Sequence, residues 1–422
     1  MDVDTIFKIL WFTPSPCGWG LPTLFTGQPG TTKTAQGYAW AKEMKVPFLH
    51  LSPGQKGPEY FGVVPVPKVD PVTGQMVLHF PSNVDVDWLC RHGRGLILLD
   101  ELRSAPQAVR TALLGLLQER MFGDRRLPVG VRVFAASNSA AEATNGRALG
   151  PADANRVCHL PWEGPSSRDC MAYGIRSASE DPFAQRGDPD LDYSEWAPIE
   201  EAILSNRARV QPGLAAVLFS FTEKIVDKDG NELLHSQPKA GKAEADGPWA
   251  SRRSWMNLLS AWTTYRILLE AGVIQRGKDS NGVAAAEDHE DPNLRAIARG
   301  LIGEGAAELL WTYVRAQDLP DFADWLDGKA QVRFDRARAD RTWSIFNGAA
   351  AHLLSLPANQ TRTTRARAFW GQALKEANEQ GFELVSSGAS LLIAADCEMQ
   401  SKEALAYFSA QTRTIHGVTK NR

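Results

Sequence analysis

The sequence is poor in cysteine, carries no surplus of either charge and contains no long apolar run. Its five cysteines, Cys17, Cys90, Cys158, Cys170 and Cys397, are odd in number and none stands in CxxC spacing. That argues against a disulfide framework or a cysteine zinc site and fits a reducing compartment. Lys and Arg total 46 against 49 Asp and Glu, a formal net charge of −3. A dedicated nucleic-acid binder carries a basic excess, so only a local basic patch is left open. No apolar stretch approaches the roughly 20 residues that span a bilayer, and the run ASLLIAA at Ala389 is too short. The amino-terminal MDVDTIFKILWF has two early acids and no basic segment, unlike a secretory signal. His50, His79, His92 and His159 are scattered without metal-ligand spacing. These absences together lead to the expectation of a cytoplasmic protein with no membrane span.

What is present is the profile of a globular chain. Of 422 residues, 43% are hydrophobic and 23% charged, enough for two or three domains with sizeable cores. Five short apolar runs, PTLFT (22–26), VPFLHL (46–51), GLILLD (95–100), VRVFAAS (131–137) and VCHL (157–160), alternate with helical patterns at 33–45 and 107–118. Most runs are continuous rather than alternating, as in strands buried on both faces of a parallel sheet. The fold class expected is therefore α/β. Residues 53–83, rich in Pro and Gly, interrupt this rhythm, and Asp70-Pro71-Val72-Thr73-Gly74 reads as the tip of an inserted hairpin between VPVPKV and QMVLHF. Beyond 165 strands become scarce. Helical patterns are expected at 196–205, 212–226 and 254–271, a surface loop at 228–248, a flexible linker at 273–291 and a helical region from 293 onward. The domains expected are 1–165 for the sheet, 166–272 for a helical unit, 273–292 for a linker and 293–422 for a helical carboxyl-terminal region.

Three polar sites end three of the apolar runs. Gly27-Gln28-Pro29-Gly30-Thr31-Thr32-Lys33-Thr34 follows the first run and opens a helix, the context of a phosphate-binding loop. Backbone N–H groups of such a loop cradle phosphate oxygens, and the helix start adds positive potential. Lys33 would reach the β- and γ-phosphates of ATP, and Thr34 would offer a hydroxyl to Mg²⁺. The pattern calls for Gly before the Lys, but Thr32 stands there, where a side chain crowds the bend. The run GLILL ends in Asp100 and Glu101. Acids at the end of a buried strand need a partner, and the carboxyl edge of a parallel sheet would bring Asp100 beside Thr34. Asp100 would then hold Mg²⁺, and Glu101 would polarise the attacking water. The bland alternative is a strand followed by an acidic helix cap. The run VRVFAAS ends in Asn138, an amide that can orient water or touch the γ-phosphate, or simply make a turn.

GQPGTTKT, LILLDE and AASN, in this order, resemble the Walker A, Walker B and sensor 1 motifs of AAA+ ATPases. The stretch DELRSAPQAVRTALLGLLQERMFGDRRLPVGVRVFAASN is similar to the MoxR branch, and the resemblance covers roughly residues 5–270. It implies a parallel-sheet P-loop core with an α-helical lid at 166–272 and a helical carboxyl-terminal extension. LGPADANRVCHLPW resembles the segment that carries an arginine finger, which implies Arg156. PWASRRSWMNLLSAW resembles the sensor 2 region, which implies Arg253, with Arg252 as the competing choice. A fixed guanidinium stabilises the charge that phosphoryl transfer spreads over equatorial oxygens. Relatives form ring hexamers with ATP between subunits and act on protein clients, often with a partner carrying a von Willebrand factor A-like domain. Where relatives read DEINRA, this chain reads DELRSA, with Arg103 and Ser104 in place of Asn and Arg.

Two other readings stay open: an ATP-binding switch without turnover, which Thr32 supports, and an AAA+ motor on nucleic acid. For the second, Arg333, Arg336, Arg338 and Arg341, and Arg362, Arg365 and Arg367, cluster near Phe334, Trp343, Phe369 and Trp370, a pattern that can serve single strands. Asp335 and Asp340 interleave the first cluster, which favours a salt-bridged helix face instead.

Overall fold

The computed structural model describes residues 2–53, 56–138, 148–164, 191–224, 233–238, 246–279, 282–317, 322–334, 339–356, 359–379, 381 and 383–394. The chain forms two compact units, one of Met1–Ile203 with His235–Ala307, the other of Leu204–Leu234 with Glu308–Arg422.

The first unit is built on five parallel strands, β1 (Thr23–Thr26), β2 (Phe48–Leu51), β3 (Arg94–Leu99), β4 (Gly130–Ser137) and β5 (Cys158–Pro161), in the order β5-β1-β4-β3-β2. Each coincides with one of the apolar runs. β4 is buried at every position, as a central strand covered on both faces must be. The register aligns the carboxyl ends: Thr26 pairs with Ser137 and with Pro161, and Leu99 with Ala135 and with Leu51. The residues that follow, Gly27, Asp100 and Asn138, therefore emerge at one edge.

Helices cover both faces. On one, α3 (Val84–His92) and α4 (Gln107–Glu119) bury Val86, Leu89, Val109, Leu113 and Leu117 against Leu49, Ile97, Leu99, Val133 and Ala135. On the other, α1 (Val3–Phe12) and α2 (Lys33–Glu43) supply aromatics. Phe7 stacks on Trp40 at 4.5 Å between ring centroids, and Phe25 and Phe134 close around them. Truncating one such ring to Ala costs about 3–5 kcal/mol. α1 begins on the Asp2 carboxylate, which accepts from the Asp4 N–H, and α3 on Asn83, which accepts from the Val86 N–H; both are ordinary N-caps. The hairpin insert is present as an antiparallel pair, Val66–Val69 with Met76–His79.

Further along, one helix, α5 (Ala197–Lys224), runs through Pro212, where the sequence suggested two helices separated near that residue; the missing N–H weakens a turn without ending the helix. α6 (Arg252–Glu270) opens on a capping box of Ser251 and Ser254. α7 (Pro292–Ile302) lies against β5, close enough that a Cβ on Gly300 would stand 2.3 Å from the His159 carbonyl oxygen. Within 273–291, expected as a flexible linker, Arg276, Asp288 and Asp291 are instead bonded within the first unit. Asp288 accepts from Trp262 Nε1 at 2.6 Å and pairs with Arg276 at 2.9 Å, and Asp291 accepts from Tyr265 Oη at 2.8 Å. The charged composition that suggested a linker serves internal pairing. Residues 165–190, and most of the surface loop expected at 228–248, lie outside the described residues.

The second unit is helical. Ala339–Ser355, Gln360–Glu379 and Glu383–Ala394 pack around Phe346, Leu353, Phe369, Trp370 and Leu392. Phe369 and Trp370 thus belong to the core rather than to a base-stacking surface. Arg365, of the second cluster, forks onto Asp327 at 2.7 and 2.8 Å, a charge-assisted pair. Arg336 and Arg338 lie outside the described residues. This is an α/β fold, a five-stranded parallel sheet flanked by helices, with a helical carboxyl-terminal region. Among the described residues no helix is long and apolar enough to cross a membrane.

Candidate functional site

The loop from Gly27 to Thr32 joins β1 to α2, and two of its residues have left-handed backbone: Gly30 at φ 78° and Thr32 at φ 64°. Thr32 sits where the pattern calls for Gly, and the structure keeps the dihedral that Gly would adopt. A β-branched residue there carries a cost of about 1–2 kcal/mol. Gly27 is needed for another reason: a Cβ would lie 2.2 Å from the Trp162 carbonyl oxygen. Gln28, Pro29 and Gly30 are exposed and Thr31 is half-buried.

Lys33, the first residue of α2, turns its ammonium back over the loop. Nζ donates to Gly27 O at 2.9 Å, to Gln28 O at 2.7 Å and to Asn138 Oδ1 at 3.1 Å. Thr34 Oγ1 donates to Asp100 Oδ2 in a short contact. Residues 66 and 105 positions apart in sequence thus meet at the carboxyl edge, as the alignment of strand ends requires. Asp100 also accepts from the Glu101 N–H at 3.0 Å. His50, near the end of β2, places Nε2 3.2 Å from Asp100 Oδ2. Burial pushes the Asp100 carboxyl upward, but hydrogen bonds from His50 and Thr34 outweigh it and hold the group below the ordinary carboxylate range. An ionised carboxylate beside a hydroxyl is a pair of hard oxygen donors, the set Mg²⁺ takes.

Glu101 is exposed and has φ 56° and ψ 38°. The left-handed bend turns the chain out of β3 and sets the Glu101 side chain apart from the buried run before it. Arg103, next in line, is buried and forks onto Asp246 at 2.7 and 2.6 Å. Asp246 accepts as well from the Leu149 N–H at 2.6 Å. The departure DELRSA is therefore an internal tie.

Two of the expected residues stand away from this cluster. Arg156 precedes β5, at the amino margin of the sheet, 3.7 Å from Asp153. Pro161, which pairs with Thr26 at the other edge, lies five positions further along the chain, a span on the order of 15 Å. Arg253 is exposed on the first turn of α6, as is Arg252. These two places are joined. Asn155 Nδ2 donates to Trp249 O at 2.8 Å, its Oδ1 accepts from Ser251 Oγ at 2.7 Å, and Trp249 Nε1 donates to Pro151 O at 2.8 Å. Arg156 and the Arg252–Arg253 pair so flank one bonded junction.

The sequence reading missed His50 and Trp162. Its signal for His50 was a lone polar residue inside an apolar strand. Trp162 Nε1 donates to Thr31 O at 2.7 Å, and nothing in local spacing announces a bond across 131 positions. Among the described residues no cluster of three or more His, Cys, Asp and Glu groups suits a metal ion.

No family model matches the chain, and no curated protein does. A solved structure of a candidate ATPase from Cytophaga hutchinsonii aligns with 74% of this chain and 87% of its own, at a TM-score of 0.46 and 15% identity. A likeness that loose adds nothing to the geometry above.

Proposed function

We propose that this chain is a MoxR-like AAA+ ATPase that couples hydrolysis of Mg-ATP to the remodelling or activation of a protein partner. The observation that carries the reading is the meeting of Lys33, Thr34, Asp100 and Asn138 at one sheet edge. An ammonium, a loop of backbone amides, a hydroxyl and a carboxylate kept ionised are the parts that phosphoryl transfer needs. In this reading the Gly27–Thr32 amides and Lys33 bind the phosphates, and Thr34 and Asp100 hold Mg²⁺, which supplies charge neutralisation when bound. Glu101 polarises the attacking water and Asn138 orients it.

Arg156 and Arg253 belong to a second surface. Arg156, a strand length from its own loop, is assigned to the nucleotide of a neighbouring copy, while Arg253, with Arg252 as the competing choice, is assigned to sensing the γ-phosphate. That arrangement calls for a ring, a hexamer by the MoxR resemblance. The lid role of the helices beyond 166, and a client with a von Willebrand factor A-like domain, are part of the same proposal. The exposed hairpin, with Val66, Val69, Val72, Met76 and Leu78 open to solvent, is offered as its client contact, and the cytoplasm as its compartment.

The strained Thr32 favours one rival, a nucleotide-gated switch without turnover. Phosphate release by wild type and Glu101→Gln decides between them. Release by wild type with at least about a hundredfold loss in the variant supports the enzyme. Retained nucleotide with no release from either supports the switch, and equal release from both removes Glu101 from the chemistry.

A further inference from the structure

We infer that Trp162 is a positioning residue for the phosphate loop, through the hydrogen bond from its indole N–H to the Thr31 carbonyl; the inference rests on the nucleotide-binding reading above. Trp162 follows β5, and its backbone N–H donates to Thr26 O at 2.7 Å, extending the strand ladder by one residue. Its ring is fixed from below. It meets Phe25 and Trp40 edge to face, both at 6.0 Å between centroids, and only 7% of the residue is accessible. From this anchored ring the Nε1 proton reaches out of the aromatic layer to Thr31 O at 2.7 Å.

The consequence follows from peptide geometry. The carbonyl of Thr31 and the N–H of Thr32 belong to one planar trans unit and point in opposite directions. Fixing the oxygen on Trp162 therefore fixes the direction of the Thr32 amide, one of the loop donors available to a phosphate. The same unit leads into the left-handed Thr32, which has none of glycine's freedom to hold that conformation unaided. Two glycines bring the chains together. Gly27 allows the Trp162 carbonyl to approach, since a Cβ would lie 2.2 Å from it, and Gly164, at φ +79°, would place a Cβ 3.0 Å from that of Thr31. The loop is thus tethered from outside at the position where its own sequence is least suited to its shape.

Trp162→Phe keeps an aromatic ring and removes the donor. Measured on the full chain with Mg²⁺ and a fluorescent N-methylanthraniloyl-ATP, the variant should bind about tenfold more weakly than wild type. Turnover at saturating ATP should stay within about twofold, so the change falls on KM rather than kcat; the nucleotide-free melting curve should fall modestly, because a phenyl ring fills less of the buried site than an indole. If W162F does not fold, replacing Trp162 with 3-benzothienylalanine, which has the indole's shape without its N–H, gives the same comparison. Affinity equal to wild type in a folded variant overturns the inference and leaves the ATPase reading intact. Absence of nucleotide binding by wild type overturns both.

Discussion

At the amino edge of the sheet, Arg132 of β4 is fully buried, paired with Glu200 and bonded to Gly130 O at 2.7 Å, while Arg94 reaches the same carboxylate at 2.8 Å. Its guanidinium also lies 4.4 Å from the centre of the Trp11 ring. Nearby, Arg120 is buried with carbonyls of Trp19 and Gly20 at 3.0 and 2.8 Å. At the carboxyl edge, the charges are Lys33, Asp100 and Glu101, half-buried or exposed, and the backbone beside them is bent into left-handed conformations at Thr32 and Glu101. One end uses its charges to hold Glu200, in the first turns of α5, against the strands. The other keeps them within reach of solvent and holds strain, as binding sites do. A charge in this fold is read by the edge it occupies.

Cutting the amino-edge network should separate stability from binding most sharply. Glu200→Leu leaves Arg132 buried without its carboxylate and should cost about 3–5 kcal/mol in urea unfolding, with nucleotide affinity of the folded protein unchanged. Asp100→Asn should do the reverse: unfolding hardly shifted, and Mg²⁺-dependent phosphate release reduced on the order of a hundredfold. If the two variants moved both quantities alike, the contrast between the edges would fail.

Acid titration sharpens the comparison. Burial pushes the Glu200 carboxyl up, but the charge and hydrogen bonds of Arg132, with bonds from Arg94, hold it below its ordinary value. A folded-state value lower than the unfolded one, about 4.3, adds stability that is present above that pH and lost as pH falls through the folded value. Stability of wild type should therefore decline between about pH 5 and pH 2. Glu200→Gln, weaker at neutral pH, should decline less over that window. The smallest effect is expected at Thr32→Gly, which relieves the left-handed threonine and should raise stability by about 1 kcal/mol or less in thermal melts.

Much of the sheet was legible because its strands are short runs buried on both faces, and such runs need no partner to be recognised. The loop and the two strand-end acids were legible for the same reason: their positions follow from where a run stops. The hairpin tip was readable from Asp70 to Gly74. Helices α1 and α3 were not picked out, since MDVDTIFKILWF was weighed only against a secretory signal and 84–92 is short. Partners distant in sequence were out of reach. Arg132 and Glu200 are 68 positions apart, and Arg103 and Asp246 are 143 apart, and only the folded chain decides which acid meets which base. The segment 273–291 misled because buried ion pairs and solvated linkers share a composition. Arg156 and Arg253 were named from resemblance alone, and the Asn155 junction that brings them together has no local signature.

The most direct test is calorimetric titration of the full chain and of Lys33→Ala with Mg-ATP. Binding of one nucleotide per chain by wild type, weakened at least about a hundredfold in the variant, is the result expected if Lys33 and Asp100 serve one triphosphate at the carboxyl edge. Equal affinity in the two proteins would contradict it.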